Sequence, residues 1–94
     1  MFEENIDKFF ERVDIVCQTA ATFLATIRKG YEDEVIKRLS RRARQKLKLG
    51  SALMKYDYKG QSLTYVAPDR LIIRLNEAGT LEDAKVILNE LMRD

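Results

Sequence analysis

Residues 2–27 read FEENIDKFFERVDIVCQTAATFLATI. At the 100° per residue of an α-helix, the apolar side chains of this segment fall on one continuous arc. The members of the arc are Phe2, Ile6, Phe9, Phe10, Val13, Val16, Cys17, Ala20, Phe23, Leu24 and Ile27. The arc is wider than the two-position seam of a coiled coil, so the segment predicts one long amphipathic helix around which the chain packs.

The opposite side of this predicted helix is unusual because, between Ile15 and Thr26, it carries only uncharged side chains, most of them small. A solvated helix face normally carries Lys and Glu, which suggests that the domain's own sheet or a second copy packs there. An exposed but weakly polar face is the alternative, since single exposed apolar residues are common. A helix of this length extends about 39 Å, and the sequence predicts a homodimer through it.

A second helix is predicted from Tyr31 to Leu47. Acidic residues 32–34 occupy its first turn and basic residues follow in its last, as the helix dipole favours. Gly50 is a plausible stop. The apolar stripe of this helix consists of Val35, Ile36, Leu39, Ala43 and Leu47.

Beyond Gly50 the pattern favours antiparallel strands. Leu53–Tyr58 alternates loosely and is either a strand or, in part, an extension of the second helix. Leu63–Ala67 and Arg70–Leu75 are rich in strand formers and flank a Pro-Asp turn, which predicts a hairpin. In the last strand Leu71, Ile73 and Leu75 are expected on one side, with Arg70, Ile72 and Arg74 on the other.

A final helix is predicted from Leu81 to Met92, where Thr80 and Asp83 have the spacing of a capping box. The fold class predicted for residues 1–94, taken as a single domain, is therefore α+β. It comprises two N-terminal helices, the first of them long, an antiparallel sheet of two or three strands, and a C-terminal helix.

The chain contains no His and one Cys, which argues against catalysis and against a metal centre. Imidazole bases, Ser-His or Cys-His pairs and zinc clusters are all excluded. The four glycines are scattered, so no phosphate-binding loop is present. The sequence thus predicts a non-enzymatic protein with no cofactor and no metal. Cys17 is expected to be a buried small hydrophobe, and the location is expected to be cytoplasmic without membrane binding.

The charge pattern provides the main indication of function. Residues 28–74 hold thirteen of the seventeen Lys and Arg residues, whereas both ends of the chain are acidic. Helical rows of Arg and Lys follow phosphate backbones, and two arginines of the hairpin could extend the row as a wing does. The leading hypothesis is a nucleic-acid-binding module that uses the basic helix over residues 31–48. The residues assigned to binding are Lys37, Arg38, Arg41, Arg42, Arg44, Lys48, Arg70 and Arg74.

A second hypothesis belongs to a different class of function. An adaptor, assembly factor or inhibitor could use the basic helix against an acidic protein surface, and the uncharged side of the first helix against another partner. A basic helix that is simply a solvated face is the plainest interpretation of the same pattern.

Overall fold

The computed structural model describes residues 2–77 and 79–93, with side chains described from Ile6 onward. Six strands and three helices make up this part of the chain. In chain order they are α1 (Phe2–Phe9), β1 (Phe10–Cys17), β2 (Thr22–Ile27), α2 (Glu32–Arg42), β3 (Arg44–Leu49), β4 (Leu53–Tyr58), β5 (Gln61–Val66), β6 (Arg70–Arg74) and α3 (Leu81–Leu91).

All six strands join one antiparallel sheet in the order β1-β2-β6-β5-β4-β3. Strands β3 to β6 follow one another as a meander, and β6 then pairs with β2 from the N-terminal hairpin. The predicted architecture, with two N-terminal helices and a sheet of two or three strands, is therefore wrong. Much of the chain that the sequence pattern assigned to helices forms strands instead.

The molecule has two layers, because the helices contribute to a core on one face of the sheet. Side chains that alternate along β2, β6, β5 and β4 point into this core and meet the apolar sides of the helices. The core contains Ile6, Phe9, Phe10, Phe23, Ala25, Ile27, Val35, Leu39, Met54, Tyr56, Leu63, Tyr65, Leu71, Ile73, Ala84, Leu88 and Leu91. The opposite face of the sheet has no helix of the described chain over it.

The predicted long helix over residues 2–27 is instead a short helix followed by a hairpin. Residues 13–27 are rich in Val, Ile and Thr, whose branched Cβ atoms favour strands. Burial alternates along β2, with Phe23, Ala25 and Ile27 buried and the residues between them partly exposed. The apolar residues of β2 thus follow a period of two as well as one of 3.6, and tertiary packing selects the period of two.

The turn at residues 18–21 explains why this hairpin was not predicted. It contains no Gly, Pro, Asn or Asp, the residues that usually mark a turn. Ala21 adopts a φ of 47°, a left-handed conformation that is uncommon for alanine. Its amide donates to the carbonyl of Gln18 at 3.2 Å, and its own carbonyl accepts from the amide of Leu75 at 3.0 Å. The unusual backbone is therefore held by hydrogen bonds at both ends.

The second helix is shorter than predicted, since α2 ends at Arg42 and β3 begins at Arg44. Ala43 is buried and extended, and its amide closes the helix on the carbonyl of Leu39 at 2.7 Å. Beyond it, residues 46–49 alternate Lys and Leu with a strand period. Leu47, predicted to continue the apolar stripe of the helix, lies 42% exposed on an edge strand.

The C-terminal half follows the sequence prediction more closely. Leu53–Tyr58 is confirmed as a strand, and the hairpin of β5 and β6 has the predicted sidedness, with Leu71 and Ile73 buried. Helix α3 is confirmed at Leu81–Leu91. Its capping box is present, because the amide of Asp83 donates to Thr80 Oγ1 and the amide of Thr80 donates to Asp83 Oδ2.

The predictions for Cys17 and for the surface of the proposed dimer also require correction. Cys17 is exposed at the end of β1 rather than buried, and a hydrogen bond with the Thr19 hydroxyl lowers the pKa of its thiol. The predicted dimer interface was one side of a long helix that does not exist. Of its members, Ala25 is buried in the core and Thr22 and Thr26 lie in β2.

A polar contact between the hairpin of β4 and β5 and helix α3 predicts how stability depends on pH. The hydroxyl of Tyr58 donates to Glu90 Oε1 at 2.8 Å, and Lys59 Nζ lies 3.3 Å from the same oxygen. Tyr58 first, then Lys59 and Arg93, lower the pKa of Glu90 below its ordinary value of 4.5. The stabilisation is therefore complete above about pH 4.5 and is lost as the pH falls through the lowered pKa.

We expect Glu90→Gln to lower the melting temperature at neutral pH and to lower it less at an acid pH below the lowered pKa of Glu90, where the wild-type carboxylate is itself protonated. Thermal unfolding of both proteins at the two pH values measures this difference. A destabilisation that is the same at both values would show that the charge of Glu90 contributes nothing.

Candidate functional site

The eight cationic residues predicted to bind a ligand do not form one surface. They divide among the helix layer, the edge strand β3 and the face of the sheet that the helices leave uncovered. The helix layer holds Lys37, Arg38, Arg41 and Arg42, the edge strand holds Arg44 and Lys48, and β6 holds Arg70 and Arg74.

Two of these residues have a structural role. Arg38 lies partly buried, with its Nε 2.8 Å from Glu34 Oε2, and its guanidinium also donates to the carbonyl of Met92. Arg42 donates to the carbonyl of Leu91 at 3.2 Å and to that of Arg93. These carbonyls lie at the C-terminal end of α3, where partial negative charge accumulates and no intrahelical donor remains. Both guanidinium groups therefore hold α2 against the end of α3.

The other helical cations lie apart from the sheet surface. Lys37 and Arg41 are exposed and one turn apart on the outer side of α2. Lys48 is paired in register with Met54, a core residue, so it belongs to the helix side of the edge strand. None of these three shares a face with the arginines of β6. The predicted continuous basic ridge over residues 31–48 is therefore wrong in its geometry, because the segment changes from helix to strand at Ala43.

The uncovered side of the sheet, which we call the open sheet face, brings the remaining predicted cations together. Residues paired across neighbouring antiparallel strands project to the same side, so the register defines its rows. Each row crosses β2, β6, β5, β4 and β3 in that order. The rows are Thr22, Arg74, Ser62, Asp57 and Arg44; Leu24, Ile72, Thr64, Lys55 and Leu47; and Thr26, Arg70, Val66, Leu53 and Leu49.

Four cations, Arg44, Lys55, Arg70 and Arg74, are exposed in these rows, and only Asp57 among their members is acidic. No ion pair involves any of the four among the side chains described, those of residues 6–77 and 79–93. Their charge is therefore available to a ligand. Sequence reasoning missed Lys55, although Met54, Lys55 and Tyr56 alternate in polarity as the residues of a strand do.

The edge strand β1 continues the open sheet face beyond β2. Asp14 is paired in register with Leu24 and Arg12 with Thr26, so both project to the open side. Arg12 Nε lies 3.0 Å from Asp14 Oδ2, and the two charges balance. This pair therefore leaves the net positive charge of the face unchanged.

The register also fixes the spacing of the four cations. Strands lie about 4.8 Å apart, so Arg44 and Arg74 in one row are separated by about 14 Å. Arg70 and Arg74 are four residues apart in β6, which is about 13 Å along the strand. Lys55 occupies the row between them. The Cα positions of the cations thus form a right-angled array beside a mainly aliphatic centre that includes Ile72 and Val66.

At one end of the sheet the open face adjoins a cleft of about 450 Å³, lined in part by Ser62, Arg74, Asn76 and Glu77. Because Arg74 and Glu77 carry opposite charges, this cleft does not favour an anion as the open sheet face does. In the described part of the chain no group of acidic, Cys or His residues is placed to hold a metal ion.

None of the three described helices has the length and apolar character that crossing a bilayer requires. Comparison with known proteins adds no assignment, since no protein-family model, curated protein or solved structure matches the chain. Function must therefore be inferred from the geometry and charge of the open sheet face.

Proposed function

We propose that this protein is a non-enzymatic nucleic-acid-binding module whose ligand lies on the open sheet face. The observation that carries the proposal is the group of four exposed cations, Arg44, Lys55, Arg70 and Arg74, in rows that contain one carboxylate. Phosphate groups satisfy such an array electrostatically and by hydrogen bonds from guanidinium. Hydroxyl groups lie beside the two arginines of β6, since Thr26 is paired in register with Arg70 and Ser62 with Arg74.

This proposal moves the binding surface away from the helix. Three of the eight predicted binding residues, Arg44, Arg70 and Arg74, belong to the new surface. Arg38 and Arg42 are excluded because they bond the end of α3. Lys37 and Arg41 serve as an internal comparison, since they are exposed cations in the helix layer. A cytoplasmic location is part of the proposal, because an exposed free thiol such as Cys17 persists in a reducing compartment.

A matched pair of double variants tests the proposal. We expect Arg70→Ser with Arg74→Ser to weaken binding to a labelled 20-base-pair duplex, and Lys37→Ser with Arg41→Ser to leave it nearly unchanged. Fluorescence anisotropy over a salt series supplies the measurement. Four phosphate contacts predict a log–log salt slope of about −3.6 for the wild type, and two contacts predict about −1.8 for the sheet variant.

Two results of these experiments would contradict the proposal. Loss of binding in the helix variant alone would return the site to α2. An anisotropy that does not change for the wild type at low salt, with this duplex and with a single strand, would exclude nucleic acid. All four substituted residues are exposed, so melting temperatures close to that of the wild type are the control for folding.

A protein partner is the second candidate, and one observation favours it. Leu47 and Leu49 are 42% and 56% exposed on the open sheet face, and Ile15 and Val16 of the edge strand β1 are also exposed. Exposed aliphatic groups beside cations suit a partner whose apolar patch is bordered by carboxylates. This candidate becomes the leading one if neither the duplex nor a single strand binds.

A further inference from the structure

The distribution of aromatic rings restricts the kind of nucleic acid that the open sheet face can bind. Phe9, Phe10, Phe23, Tyr56 and Tyr65 are buried in the core. Tyr31 packs edge-on against Phe9, and Tyr58 bonds Glu90 of α3, so both lie on the helix side. Within the described side chains, no aromatic ring projects from the open sheet face.

This distribution matters because single strands are bound mainly by stacking. Proteins that hold single-stranded nucleic acid without sequence preference place bases on aromatic side chains, and each stacked base adds substantially to affinity. The centre of the open sheet face instead carries mainly aliphatic side chains around Thr64, with Leu24, Ile72, Val66 and Leu53 partly exposed. Such a surface can exclude water against sugar carbons but offers no ring on which a base could stack.

The dimensions of the face favour contact across the outside of a helix. Six strands at about 4.8 Å spacing give a sheet roughly 24 Å wide, whereas the major groove of a B-form duplex is about 12 Å wide. The sheet therefore cannot enter the groove as a recognition helix does. Its cations, about 14 Å apart, can reach phosphates on the two backbones of a duplex at the same time.

The stiffness of the sheet and of a duplex also favours a double-stranded ligand. All four cations project from paired strands of one sheet, so the Cα positions that carry these long, flexible side chains are fixed relative to one another before the ligand arrives. A duplex is also stiff and pays little conformational entropy on binding, whereas a flexible single strand must be ordered to match a fixed array.

We propose that the ligand of the open sheet face is double-stranded nucleic acid, contacted along its sugar-phosphate backbones and read with little base specificity. This inference rests on the proposed function and names its ligand class. The mainly aliphatic centre of the face is the reason for the low base specificity, because direct readout needs several donors and acceptors at base edges.

The test compares a mixed-sequence duplex of 20 base pairs with a 20-nucleotide oligothymidine strand, by anisotropy over the same salt series. We expect the duplex to bind at least tenfold more tightly and its affinity to depend on salt with a slope of about −3.6. A second duplex of unrelated sequence is expected to bind within about threefold of the first. A single strand that binds as tightly as the duplex would overturn this inference and leave the proposed function intact. Absence of binding to both ligands would overturn both proposals.

A gain-of-function variant examines directly whether missing rings limit single-strand binding. Thr64 lies in the middle row of the open sheet face, next to Lys55, and tyrosine is a good strand former. Thr64→Tyr should raise affinity for the single strand by about fivefold or more, through stacking of one base, and should change duplex affinity little. Thr64→Val is the matched control. Unchanged single-strand affinity in the Tyr variant would show that stacking is not what the face lacks, and the inference would fail.

Discussion

Replacing Leu88 with alanine is expected to lower the free energy of unfolding by about 2–5 kcal/mol. Leu88 is fully buried at the middle of α3, among the residues that join this helix to the core. The change removes the transfer free energy of the lost carbons and leaves a cavity that close-packed neighbours fill only in part. Chains of this size are typically stable by about 5–15 kcal/mol, so the variant loses a large share of its margin.

Val86 provides the control on the same helix. It is 37% exposed, and Val86→Ala replaces a β-branched residue by the best helix former. We expect this variant to unfold within about 0.5 kcal/mol of the wild type. Urea titration or thermal melting distinguishes the two variants, since several kcal/mol correspond to more than about 10 °C in a domain of this size. An equal loss of unfolding free energy in Leu88→Ala and Val86→Ala would contradict the two-layer packing.

Arg38→Met is expected to have the second largest effect, about 2 kcal/mol of lost stability, because the guanidinium makes charged hydrogen bonds in a partly buried place. The Arg38 side chain is 11% exposed, between Glu34, the carbonyl of Met92 and the ring of Phe9, 4.8 Å from its centroid. Methionine preserves the length and apolar stem of arginine but cannot satisfy the carbonyl at the end of α3.

The neighbouring substitution Lys37→Met is the matched comparison, since Lys37 is exposed, and we expect it to change stability by less than about 0.5 kcal/mol. Arg38→Lys should fall between the two, because it retains the charge and loses the planar fork. Melting curves decide the ranking. A fully stable Arg38→Met that no longer binds nucleic acid would show instead that Arg38 contacts the ligand.

The elements that the sequence predicted well are those with local signals. The hairpin of β5 and β6 is rich in strand formers and has a Pro-Asp turn, and α3 has a capping box, so both could be placed within a few residues. The N-terminal hairpin lacks such signals. Its turn is built from Gln, Thr and Ala, and helix α1 passes into β1 between Phe9 and Phe10 without a break.

The candidate site could be predicted only in part for the same physical reason. Cations were correctly seen as concentrated in the middle of the chain, but whether they share a surface depends on strand pairing. Arg44 and Arg74 come into the same row through β4 and β5, which no local pattern specifies. The hydrogen bonds of Arg38 and Arg42 depend on where α3 ends against α2, a contact between segments far apart in sequence.

The pairing of β2 with β6 also has a consequence for biosynthesis. One edge of β2 (Thr22–Ile27) pairs with β6. Its backbone hydrogen bonds on this edge cannot form until Arg70–Arg74 has been translated. Until then, a nascent chain displays an unsatisfied row of amides and carbonyls next to apolar side chains, a combination prone to wrong pairing. Completion of the sheet should accordingly be late and cooperative, with the first hairpin gaining lasting protection from amide exchange only once the sixth strand has emerged.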